Sequence, residues 1–144
     1  MRFQERAVLP ATPERAWTVL VDWERQSAWM PDVVWVRLAG PERGLSARLW
    51  VRTKVFGIPA VTDLVRVTAW QPPWLVAVEH EGLVRGLGEW RLKRLAGDRT
   101  SFTWTEEIRL PVPVLGEIAL WLYSPWQRRM LRRSIRNLSL LVEA

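Results

Sequence analysis

Residues 61–81, VTDLVRVTAWQPPWLVAVEHE, decide the architecture. Val61, Val65, Val67 and Ala69 recur at period two, and Gln71-Pro72-Pro73 is a tight connection. Trp74, Val76 and Val78 then resume the alternation on the other side of it. Each run reads as a strand with one buried face, and two strands joined so briefly must lie antiparallel. The buried face is odd-numbered before the prolines and even-numbered after them. Directly opposed residues share a face, so their numbers sum to an odd value. Pairing Val67 with Val76 satisfies this and sets Asp63 opposite His80.

The pattern extends in both directions. Upstream, Phe3 to Leu9 reads as a strand ended by Pro10. Thr12-Pro13-Glu14-Arg15 reads as a helix start, with Thr12 as cap and Pro13 at the first helical position. Ala16, Trp17, Leu20 and Val21 form its apolar face. A second short helix begins at Asp22-Trp23 and runs out near Trp29-Met30-Pro31. Val33 to Ala39 is a strand. Ala47, Leu49, Val51 and Val55 alternate with Arg48, Trp50, Arg52 and Lys54 as the next, and Phe56-Gly57-Ile58-Pro59 turns it. Downstream, Val84 to Leu95 and Thr100 to Leu110 are strands about a turn at Ala96-Gly97-Asp98. After Pro111 and Pro113 the period is helical to the end, and Ser124-Pro125 predicts two helical pieces with a break or kink between them. The order is strand, two short helices, six strands, long helix. This predicts one α+β domain over residues 1–144, a seven-stranded antiparallel meander whose apolar face is covered by the C-terminal helix.

Composition narrows the function. The chain of 144 residues has no cysteine, which excludes disulfides, thiolate metal sites and cysteine nucleophiles. Its start, MRFQERAVLP, lacks the apolar core of a signal peptide, and no apolar run reaches membrane-spanning length, so a cytoplasmic protein is expected. The net charge is +6 and lysine occurs only at Lys54 and Lys93. Arginine-rich, amide-poor composition suits heat adaptation or a GC-rich genome equally. Eleven tryptophans are far more than a domain this size needs. They read as core filling or as the lining of a wide aromatic cavity.

Four phrases carry a family resemblance. They are Ala11-Thr12-Pro13-Glu14-Arg15-Ala16-Trp17 with Asp22-Trp23 and Trp29-Met30-Pro31-Asp32; Val67-Thr68-Ala69-Trp70-Gln71-Pro72-Pro73-Trp74-Leu75; Gly97-Asp98-Arg99-Thr100-Ser101-Phe102; and Leu138-Ser139-Leu140-Leu141-Val142-Glu143. In this order they resemble the START-like polyketide cyclase/dehydrase and lipid-transport superfamily over essentially the whole chain. The resemblance implies the helix-grip fold, a curved sheet around a long C-terminal helix that holds a hydrophobic small molecule such as a lipid or polyketide-like compound. The segment Asp22 to Val34 also resembles the coenzyme Q-binding and ribosome-associated branch.

Alternation then nominates the lining. Val78, Trp90, Phe102 and Trp104 are expected to face the cavity from the strands, with Leu122, Trp126 or Met130 from the helix. Gly86 and Gly88 remove side-chain volume where a ligand needs room, or relieve sheet curvature. Three ionisable residues, Asp63, His80 and Glu106, share the parity of the buried face. A carboxylate at Asp63 would hold the His80 imidazole and raise its pKa. Rim positions in contact with water are the alternative reading of all three.

Enzyme motifs are absent: there is no phosphate-cradling glycine loop, no Gly-x-Ser-x-Gly, and a single histidine rules out a histidine metal triad. No metal or cofactor is expected. The expected activity is binding or transport of a hydrophobic molecule. The alternatives are a cyclase or dehydratase using His80 with Asp63 and Glu106, and a macromolecular role. Arg128, Arg129, Arg132, Arg133 and Arg136 form a solvated helix face or a contact for RNA, a ribosome or an anionic membrane. No DNA partner is expected.

Overall fold

A computed structural model describes residues 1–143. The elements are β1 (Arg2–Leu9), α1 (Pro13–Leu20), a 3₁₀ helix (Trp23–Ala28), β2 (Val33–Leu38), β3 (Arg48–Val55), β4 (Ile58–Gln71), β5 (Leu75–Glu81), β6 (Arg85–Leu95), β7 (Arg99–Arg109) and α2 (Pro113–Glu143). The seven strands form one sheet in the order β1-β7-β6-β5-β4-β3-β2. Every neighbouring pair is antiparallel. The expected α+β meander and its covering helix are therefore present.

Local chemistry explains the elements. The Thr12 hydroxyl accepts the Arg15 N–H at 3.3 Å, and Pro13 opens α1. The β3–β4 hairpin turns in two residues, Phe56 and Gly57, both at positive φ, so Ile58 and Pro59 already belong to β4. Leu9, Leu49, Val67, Val76, Phe102 and Leu138 are at most 2% exposed and form the centre of the core. Each such side chain contributes about 1.5–3 kcal/mol on burial. The second half of α2 seals this core through Leu131, Ile135, Leu138 and Val142.

Three features depart from the sequence expectations. The turn sets Trp70 opposite Val76, and a bulge in β4 between Val67 and Ala69 then shifts the register by one, so that Val67 opposes Val78 and Val65 opposes His80. The expected partners Val67–Val76 and Asp63–His80 are each displaced by two residues. One extra residue in a strand reverses its faces beyond that point. Trp70 thus takes the inner side in place of Ala69 and packs edge-on to Trp17, with centroids 5.0 Å apart. Trp74 lies outside, 42% exposed, with the Arg94 guanidinium 5.7 Å from its ring. Third, α2 runs through Pro125 as one helix. The Ser124 hydroxyl donates to the Trp121 carbonyl at 2.8 Å, which satisfies the acceptor that proline has no N–H to reach.

Six of the tryptophans form a continuous chain: Trp17 to Trp70, Trp70 to Trp23, Trp23 to Trp90, and Trp90 to both Trp29 and Trp104, with centroids 5.0–6.4 Å apart. They fill the closed end of the molecule between the short helices and the sheet. Pairs at this spacing contribute about 0.5–1.5 kcal/mol beyond the area they bury.

Gly86 is the tightest backbone position. Its φ is +138°, and a Cβ there would lie 1.7 Å from the Glu107 carbonyl oxygen on β7. Gly86→Ala is expected to destabilise the protein by about 2 kcal/mol or more. Chemical denaturation compared with wild type measures it, and an unchanged midpoint would contradict the close approach.

Candidate functional site

The first half of α2 and the concave face of the sheet do not meet. Between them lies a cavity of about 460 Å³. Its walls are largely apolar: Leu49, Val51, Val65, Val76 and Val78 from β3 to β5, Trp90 and Trp104 from β6 and β7, and Leu120, Met130 and Leu131 from α2. Of the residues nominated from the sequence, Val78, His80, Gly88, Trp90, Trp104, Glu106 and Met130 border it.

The other four nominated residues do not. Phe102 is fully buried in the packed core beside Trp104. Gly86 is spent on the approach of β7 described above. Leu122 is 64% exposed on the outer face of α2. Trp126 packs on Phe56, with centroids 5.6 Å apart. The helical stripe that faces the cavity is Leu120, Tyr123, Gln127, Met130 and Ser134, about one position round from the predicted one. Each residue turns the helix by about 100°, so a one-residue error exchanges inside for outside.

The polar centre is built across three strands. His80 on β5 opposes Gly86 on β6, and Glu106 on β7 opposes Gly88. β5 and β7 are about 10 Å apart, two strand spacings. The two side chains still meet, with His80 Nε2 3.0 Å from Glu106 Oε2, because the intervening strand presents glycines. A Cβ on residue 88 would stand 2.9 Å from Glu106 Oε1. The space at Gly88 is therefore taken by a carboxylate rather than left for ligand. Trp104 Nε1–H donates to Glu106 Oε1 at 2.9 Å, so both carboxylate oxygens are held.

Asp63 does not pair with His80. Its oxygens accept the backbone N–H groups of Leu83 at 2.9 Å and Val84 at 3.2 Å, which pins the β5–β6 turn. It still borders the cavity. Burial of the imidazole acts to lower the His80 pKa, but the hydrogen bond to Glu106 and the charges of Glu106 and Asp63 outweigh it and raise the value above 6.5. The expected direction holds, with Glu106 as the hydrogen-bond partner instead of Asp63.

Three cavity groups escaped the sequence reading. Asp32 is half-buried where the chain enters β2. Burial pushes its carboxyl above the ordinary range, against its own backbone hydrogen bond, and the Glu106 charge adds to the rise. Tyr123, edge-on to Phe56 at 4.9 Å, is also raised, by burial first and then by the Asp32 charge. Gln127 lies one turn further along α2. Asp32 sits in a loop where no period assigns a face, and Tyr123 and Gln127 were lost with the helix phase. Among the described residues, no cluster of three His, Asp or Glu side chains is placed to hold a metal ion.

The arginine face of α2 carries two contacts to β1, with Arg132 Nε 3.1 Å from Glu5 Oε1 and the Arg128 guanidinium 5.5 Å from the Phe3 ring. No helix is long and apolar enough to cross a membrane among the described residues.

The His80–Glu106 bond sets a pH dependence. A group with a raised folded pKa stabilises the fold fully below its unfolded value near 6.5, and that contribution is lost as pH rises through the folded value. Wild-type stability should therefore fall across that window. In Glu106→Gln burial remains without the charge, so the His80 pKa should drop below 6.5 and the slope should reverse. NMR titration of this single histidine measures both proteins, and an unchanged pKa in the variant would remove Glu106 as the partner.

The comparisons agree with this geometry. No functionally curated protein matches the sequence. Among solved structures, TTHA0849 of Thermus thermophilus is 19% identical, with 99% of this chain and 97% of that one covered and a TM-score of 0.80. The Zhui aromatase/cyclase of Streptomyces sp. R1128 is 15% identical, with 99% and 93% covered and a TM-score of 0.81. A START superfamily protein of Mycobacterium smegmatis is 15% identical, with 99% and 97% covered and a TM-score of 0.70. At these identities the likeness establishes the fold. The sequence itself matches the family described as polyketide cyclase/dehydrase and lipid transport over residues 1–143, so this helix-grip chain is a member of that START-like family.

Proposed function

We propose that the protein binds and carries a hydrophobic small molecule, lipid or polyketide-like, between the sheet and α2. The observation that carries this reading is the cavity of about 460 Å³ with its apolar walls and few convergent polar groups. Ligand sites of small molecules are typically about 300–1,000 Å³ and of this character. His80 and Glu106 give the ligand one polar anchor, and Asp32, Tyr123 and Gln127 give it another.

The neutral dye Nile red should bind with enhanced fluorescence, and native mass spectrometry should show a co-purified apolar molecule. Val78→Phe adds volume inside the cavity and should weaken the dye by about tenfold or more while the fold survives. A protein that neither binds Nile red nor carries a ligand would refute the reading.

A second reading is acid–base catalysis at the same place. The His80–Glu106 bond supports it, because a cavity histidine oriented by a carboxylate is equipped to move a proton. The likeness in fold to an aromatase/cyclase is compatible with it. If the co-purified molecule is converted by the protein, His80→Ala should slow turnover by about 10²–10⁴-fold. An unaltered rate would leave binding as the whole function.

A further inference from the structure

The charges that border the cavity are unevenly satisfied. None of the chain's many arginines reaches the lining among the described residues, and Lys54 is the one lysine there. Four carboxylates border it, those of Asp32, Asp63, Glu89 and Glu106. The protein itself satisfies three of them. Asp63 accepts two backbone N–H groups, Glu89 pairs with Arg91, and Glu106 holds Trp104 and His80. Asp32 differs: among the described residues its carboxylate has no donor but its own backbone N–H.

A carboxylate left without a partner against apolar walls is costly. A donor on the ligand can complete it. Tyr123 and Gln127, one turn apart on the α2 stripe that faces the cavity, offer two further oxygens, and Tyr123 is near enough to feel the Asp32 charge. An ammonium brings three N–H donors and also meets the charge. A hydroxyl meets only the hydrogen bond, and an anionic head adds a like charge to those of Asp32 and Glu106. Lys54 does not cancel this. Its backbone N–H holds the Asp32 carbonyl at 2.7 Å, but its four-carbon stem can carry the ammonium outward to water. The Glu106 charge accordingly acts on Asp32 more strongly than the Lys54 charge does.

We propose that the bound molecule is an apolar amine, with its protonated nitrogen on Asp32 and its hydrocarbon along the valine and tryptophan wall, and that the cavity rejects carboxylate-headed molecules of the same length. The cavity must hold a hydrophobic molecule, as proposed above, for this head group to matter. The His80–Glu106 pair, already complete, is not required for the contact.

Competition against Nile red tests it with three probes of one chain length: decylamine, 1-decanol and decanoate, each below its aggregation limit at neutral pH. Decylamine should displace the dye from the wild-type protein at a concentration about tenfold or more below that of decanoate, with decanol between them. The net charge of +6 favours the opposite order for nonspecific adsorption, so this order reports the site. Asp32→Asn keeps the shape and removes the charge. With each protein's own affinity for the dye taken into account, this variant should bind decylamine about tenfold more weakly and close the gap to decanoate. The wild-type order decides the matter even where the variant fails to fold. Decanoate competing as well as decylamine in the wild type, or an undiminished gap in Asp32→Asn, would overturn the proposal. A protein that binds no Nile red removes the cavity reading and the amine with it, whereas dye binding with the wrong order of competitors removes the amine alone.

Discussion

A seven-stranded sheet curved to one side presents more concave apolar surface than one helix can cover. That mismatch shapes the molecule. The second half of α2 closes on the sheet through Leu131, Ile135 and Leu138, and the tryptophan chain fills the space under the two short helices. The first half of α2 buries only Gly116, Leu120 and Ser124, and the remaining concave surface becomes the cavity wall. Close packing is thus confined to one end. The closed end supplies stability to an open end that could not stabilise itself.

The polar centre obeys the same geometry at smaller scale. A carboxylate in an apolar wall must have partners. Glu106 finds them in Trp104, two residues away on its own strand, and in His80, two strands away. The second contact exists only because β6 carries no side chain at Gly88. Glycine here enables an ion-pairing geometry and leaves no room for ligand at that point. It also couples the protonation of the lone histidine to the cavity, where Asp32 and Tyr123 have their own proton affinities raised by burial.

The turns and the first half of α2 also leave apolar side chains exposed. Side chains at the tips of the β3–β4 and β5–β6 turns and on the outer face of α2 have no further layer to pack against. In a binding protein this is where the interior communicates with its surroundings, and the segments that frame the mouth are also the ones that supply its lining.

Fold class was legible in the sequence because it rests on period. Strands announce themselves at period two and the long helix at 3.6, and short prolyl and glycyl turns leave antiparallel neighbours as the only arrangement. Inward-facing Val78, Trp90, Trp104 and Glu106 followed from the same alternation. What alternation cannot show is where it is interrupted. The turn around Pro72-Pro73 and the bulge after Val67 together set Val65 rather than Asp63 opposite His80, and no local signal marks the extra residue of the bulge. The phase of α2 was equally hidden, because its first half is apolar on nearly every side and its pattern does not say which stripe faces the sheet. The contact of His80 with Glu106 spans two strands, so it depends on the stacking of β5, β6 and β7 and on the missing side chain between them. The sequence by itself determined the elements, their order and one buried face for most of them. Tertiary structure decided register, helix rotation and the partners of buried charges, because each is set by contacts between residues far apart in the chain.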